Sequence, residues 1–226
     1  MAFKVYLSPS TQENNKGLGN YGTEEIRMNQ IADVVEKNLK LNGIIVYRNN
    51  PAMTLQQVVA DSNSEKPDIH FAIHSNSGGG HGCECYCHKF GGKGEKLAQS
   101  TYSQVAAITP TSDRGVHQGF NFYGTGKHMY ELAYTNAPAA LIEVDFHDNP
   151  DDAAWIINNI EAIGTALAKG VLSYFGIAYN PCTDQYIAGV NVAYDKKYIS
   201  DKSYWINKSS SDNSIKQLFI NISKVG

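Results

Sequence analysis

Four short stretches carry residue types from which a reaction centre is built: "TEEIRMNQ" with Glu24 and Glu25, "AIHSN" with His74, "HGCECYCHKF", and "LIEVDFHDNP" with Glu143, His147 and Asp148. Glu143 is the hardest to explain as structure alone. A carboxylate inside the apolar run "AALIEV" costs free energy if buried and unpaired, so a partner is required. A zinc-bound water is one such partner; a structural arginine or lysine is another. Glu25 in a first helical turn is also accounted for by the helix dipole, and His74 at a strand end by ordinary hydrogen bonding. Three of the four cysteines, Cys83, Cys85 and Cys87, alternate in one stretch. Period-two spacing sets them on one face of a strand, with Glu84, Tyr86 and His88 on the other. Side chains standing side by side do not meet at disulfide geometry. They are expected to fill core space under a helix, with neither zinc nor a disulfide, while His81 sits in the loop just after the His74 strand.

These groups need strands and helices to hold them. "FKVYLS" (3–8) predicts a strand closed by Pro9 and followed by a long Asn/Gly/Ser loop. Thr23 caps a helix with the stripe Ile26, Ile31, Val34, Val35 and Leu39, and Gly43 stops it. Strands are expected at 44–48, 68–74, in "CECYCHKF" and at 139–146, and helices at 53–63, 94–109 and 151–176. Strands alternating with helices predict an α/β fold: a central, mostly parallel but mixed sheet flanked by helices.

After "GIAYNPCTD" the texture changes to short helical segments interrupted by serines 209–211. The division is a domain over 1–177, a linker at 178–185 and a small helical module over 186–226. Its Tyr198, Tyr204 and Trp205 form either a sugar-stacking patch or the module's own small core, the second being usual for so short a segment.

Composition narrows the function classes. A chain of 226 residues with 42% hydrophobic residues supports a packed core. With a net charge of −3 and no basic stripe it does not suit nucleic acid. No apolar run spans a bilayer, and the start, "MAFKVYLSPSTQENN", lacks a signal-peptide pattern. Synthesis in the cytoplasm is therefore expected.

Over about residues 3–176 the sequence resembles the zinc-dependent N-acetylmuramoyl-L-alanine amidases of bacterial autolysins and phage endolysins. The resemblance runs through "EIRMNQIAD", "AIHSN", "GCECYCHKF", "DRGVHQG" and "APAALIEVDFHDNP". It implies an α/β fold, peptidoglycan as substrate and cleavage of the amide between N-acetylmuramic acid and L-alanine. It also implies Zn²⁺, with Glu25 and His74 as metal ligands, Glu24 as the adjacent alternative, and Glu143 as the catalytic acid/base. Asn76 and Gln12 are implied in substrate binding. The family's loop histidine, in a pattern like Asp-Pro-Gly-His, is missing: "LSPSTQENN" places Thr11 there. His147 or Gln12 is then expected as third ligand, imidazole being the better donor. The "SPS.Q" loop and "FHDN" ending resemble a clostridial-type branch. Two other readings stay open: a wall-binding module that lost turnover, and a different zinc hydrolase of the same polymer.

Overall fold

The computed structural model describes residues 2–111, 114–180, 184–202, 204–205 and 213–224. Residues 181–183 of the expected linker and the serines 209–211 lie outside the described residues.

Six strands form one sheet, β1 (Lys4–Pro9), β2 (Ile45–Arg48), β3 (Ile69–Asn76), β4 (Glu84–Cys87), β5 (Gly115–Gln118) and β6 (Ala139–Phe146), in the order β2-β1-β3-β6-β4-β5. Every neighbouring pair is parallel except β4 with β6, which is antiparallel. The mixed, mostly parallel α/β sheet expected from the sequence is therefore what forms. Helices α1 (Glu24–Leu41), α2 (Leu55–Glu65), α3 (Lys93–Ala106), α4 (Tyr130–Tyr134), α5 (Pro150–Asn158) and α6 (Ile160–Tyr174) cover it, and α7 (Asp184–Asp195) and α8 (Asn213–Ser223) follow.

Local chemistry sets the helix starts. Thr23 accepts from the Ile26 amide at 3.3 Å, and Thr54 and Gln57 form a reciprocal capping box at α2. The helix expected over 151–176 is two helices: Asn159, outside helical geometry, separates α5 from α6. Short β5 and α4 lack the periodicity that predicts elements of their type, and the sequence did not announce them.

Alternation along the strands separates two cores. Phe71, Ile73, Ile142, Val144, Cys83, Cys85 and Cys87 face the larger one beneath the α1, α3 and α6 helices. The cysteines thus occupy the expected face, and Cys85 Sγ lies 4.0 Å from Thr101 Oγ1 of α3. Ala72, Tyr86, Leu141, Met129 and Leu132 form a smaller core on the other face. In the C-terminal segment Tyr186, Val190, Ala193 and Phe219 make a separate cluster with Trp205 packed on it, while Tyr198 and Tyr204 are exposed.

Near the C-terminal end of β6, buried Asp145 takes hydroxyl donation from Thr109 at 2.9 Å, while its Oδ1 has no partner. Burial pushes this carboxyl up to about 7, Asp152 adds to the rise, and the Thr109 hydroxyl opposes it. A folded-state value above the unfolded one means stability is full below about pH 4 and lost as pH climbs through about 7. Asp145→Asn keeps the hydroxyl contact and abolishes the ionisation. Denaturant titrations should find it level with the parent near pH 4, and more stable by about 2–4 kcal/mol at pH 8. Equal pH dependence in both proteins would contradict this.

Candidate active site

The C-terminal ends of β1, β3 and β6 open on one side of the sheet, where parallel α/β folds place their chemistry. The loop from β1 to α1 is pinned across this end. Leu18 N donates to His147 O at 2.9 Å, and buried Tyr21 bonds Ser75 Oγ at 2.7 Å through its hydroxyl. Gly17 is required here: a Cβ would meet the Tyr21 ring at 2.4 Å and His147 O at 2.7 Å. The pinned loop delivers the start of α1 onto the end of β3.

Glu24, not Glu25, is the residue delivered. Glu24 is 1% exposed, with Oε1 2.7 Å from His74 Nδ1 and Oε2 accepting from Asn15 Nδ2 at 2.8 Å. Glu25 lies one residue, about 100° of helix, further round and is partly exposed. Burial raises the Glu24 carboxyl, but the His74 hydrogen bond and charge, with Asn15 and Ser10, bring it below its ordinary value. For His74, burial alone lowers the pKa; the Glu24 bond and the charges of Glu24, Glu143 and Glu131 outweigh it, lifting it to about 9.

Behind His74 runs a buried polar chain that the sequence did not single out. His74 Nε2 faces Glu131 Oε2 at 3.9 Å. Glu131 Oε1 accepts from the Ser8 hydroxyl and lies 2.8 Å from His70 Nε2. His70 Nδ1 lies 2.9 Å from Ser62 Oγ. His70 and His74 stand four apart on one strand, hence on one face, and that spacing was the available signal. Glu131, 61 residues from His70, gave none.

Glu143 sits beside His74 in the β3–β6 register and opposite Glu84 in the β4–β6 register. Its Oε2 is buried with no hydrogen-bond partner. Burial pushes the carboxyl up to about 8; His74 opposes the rise, and Glu24 and Glu84 add to it. Glu84 is itself satisfied, by Asn76 Nδ2, by Arg114 Nε at 3.2 Å and by His117 Nε2 at 3.5 Å. A cleft of about 670 Å³ opens from Glu84 along Tyr86, Arg114, His117, Gln118 and Phe122.

The remaining expected residues lie elsewhere. His147 is 3% exposed, and its Nδ1 faces Ser75 Oγ at 2.9 Å and Ser75 O at 3.0 Å. It anchors the β1–α1 loop rather than joining Glu24 and His74. Gln12 is exposed, and its Oε1 accepts from Asn15 Nδ2 at 2.8 Å, one residue removed from Glu24. Asn76 is committed to Glu84 and to Ser77 N. His81 faces Asp152 at 3.2 Å and Asn149 at 2.9 Å, tying its loop to the start of α5.

A metal shared by these side chains finds too few donors. Among the described residues no group of three His, Cys, Asp or Glu side chains converges on one point. The sequence resemblance sets Thr11 where a loop histidine was expected, and the described residues do not fit a three-ligand zinc centre. Nor, among the described residues, is any helix long and apolar enough to cross a membrane.

Comparison with known proteins agrees with the fold. Residues 5–173 match the family described as N-acetylmuramoyl-L-alanine amidase. The chain is 25% identical over 182 residues to N-acetylmuramoyl-L-alanine amidase LytC of Bacillus subtilis (strain 168), covering 76% of this chain but 35% of that protein, so it spans about a third of its length. It superposes on an N-acetylmuramoyl-L-alanine amidase from Clostridium difficile 630 with TM-score 0.67 at 23% identity, covering 77% of this chain and 97% of the other. The catalytic domain of the amidase CwlV from Bacillus (Paenibacillus) polymyxa var. colistinus gives TM-score 0.68 at 22% identity, covering 77% and 99%.

Proposed function

Because the chain belongs to the N-acetylmuramoyl-L-alanine amidase family, we propose that it acts on bacterial cell-wall peptidoglycan and hydrolyses the amide joining the lactyl group of N-acetylmuramic acid to L-alanine. The observation that supports this most is Glu143, a carboxylate with an unpartnered oxygen beside His74, at the strand ends and next to the cleft. In its ionised form Glu143 accepts a proton from the attacking water. Once protonated, it hands that proton to the departing alanine nitrogen. Burial pushes its carboxyl up to about 8, toward the range in which one group can serve both steps. Glu84, fixed by Asn76 and Arg114, adds to that rise and so favours the protonated state of Glu143. Zinc, which the family resemblance implies, has Glu24 and His74 as candidate ligands but no third partner, and no step here passes through it.

Residues 1–177 are assigned as the catalytic domain. The separate apolar cluster over Tyr186–Phe219 is consistent with an appended module. On this reading the protein acts at the cell wall.

Incubating the protein with purified cell walls should release stem peptides bearing new L-alanine amino termini and leave glycan strands intact. A second reading, wall binding without turnover, is favoured by Thr11 standing where the family has its histidine. Sedimentation of the protein with walls, without new amino termini, would establish that reading instead.

A further inference from the structure

A tetrahedral zinc ion with N and O ligands at about 2.0–2.2 Å holds neighbouring donor atoms roughly 3.3 Å apart. Glu24 Oε1 and His74 Nδ1 are 2.7 Å apart, the separation of a charge-assisted hydrogen bond. The other carboxylate near the ring, Glu131, lies off the opposite edge, toward Nε2. One ion cannot be shared by donors on opposite edges of an imidazole. The remaining oxygen of Glu24 is taken by Asn15, and the oxygen of Gln12 is taken by the same amide. Glu131 is in turn fixed by Ser8 and His70. Glu24, His74 Nδ1 and Gln12 thus already have protein partners, Glu143 keeps an unpartnered oxygen beside His74, and Thr11 stands in the sequence where the family resemblance implies a further imidazole.

We infer that His74 in this chain is a hydrogen-bonding residue clamped between Glu24 and Glu131, that the centre does not hold zinc as a three-ligand site does, and that Thr11 is the residue that decides this. The clamp is built before any substrate arrives. It leaves a fixed imidazole N–H pattern at the strand ends, adjoining Glu143.

The test is metal stoichiometry. The full chain and its Thr11→His variant are mixed with equimolar zinc, dialysed against buffer holding free zinc in the nanomolar range, and assayed by atomic emission. The parent should retain far less than one zinc per chain, and Thr11→His should retain close to one. That gain should vanish when Glu24→Gln is added. The expected gap in affinity is about 10–100-fold or more, since loss of a supporting partner alone already weakens metal sites by that much. Cobalt substitution gives a second readout: the visible absorption of a tetrahedral site is expected in Thr11→His and absent from the parent. If the variant does not fold, the parent decides the matter alone. One tightly held zinc per parent chain, lost in both Glu24→Gln and His74→Ala, would overturn the inference. Failure to cleave cell walls would overturn the amidase reading and leave the zinc count unaffected.

Discussion

Glu143→Gln should lower amide hydrolysis of cell walls by about 10²–10⁴-fold, the usual contribution of a positioned acid–base group, while the fold persists. Glutamine matches the side chain's size and places a neutral amide where the parent has a carboxyl pushed up to about 8 by burial. The sign of the stability effect follows from that shift. With the folded value above the unfolded one, stability is full below about pH 4.5 and lost as pH climbs through about 8. The variant, which has nothing to ionise, should therefore outlast the parent at pH 9 in thermal melts, while matching it near pH 4.5. Activity has its own signature. If ionised Glu143 takes the water's proton, parental kcat/KM climbs through about pH 8, and the residual rate of the variant lacks that ionisation. Near-parental turnover by Glu143→Gln would remove this residue from the mechanism.

The second large effect concerns the frame. Helix α6 crosses α3 at backbone contact: a Cβ on Gly170 would stand 2.5 Å from Thr101 Cα and 2.8 Å from Ser100 O. The Ser100 hydroxyl donates to Gly170 O at 2.8 Å across the same crossing. Backbone atoms cannot swing aside as a flexible side chain can, so Gly170→Val must push the helices apart. Overpacking of this kind costs about 3 kcal/mol, or roughly 6–12 °C in Tm for a chain of this size. Ala162→Val, at an exposed position on the same helix, isolates the propensity change and should cost under about 1 kcal/mol. Equal melting of the two variants would mean the crossing is not packed this closely.

These two residues mark different routes from sequence to structure. Glu143 was legible because an acid in "AALIEVDF" contradicts its apolar neighbours, and β6 spans that very stretch. Gly170 was not, because a glycine in a helical pattern carries no sign of which backbone will press on it. The cysteines were legible by alternation alone: strand geometry fixes the face, and the larger core fills it.

The chain's own pattern determined the α/β architecture, the strands that bear His74 and Glu143, and the cap at Thr23, since these depend on periodicity and on hydrogen bonds within a few residues. Tertiary structure decided between Glu24 and Glu25, because both fit the first turn equally and only packing against β3 tells which points inward. It also turned His147 toward Ser75 and Tyr21, and brought Glu131 and His70 together behind His74. Those partners are far apart in sequence, and a side chain's role there is set by the charge that the fold places beside it.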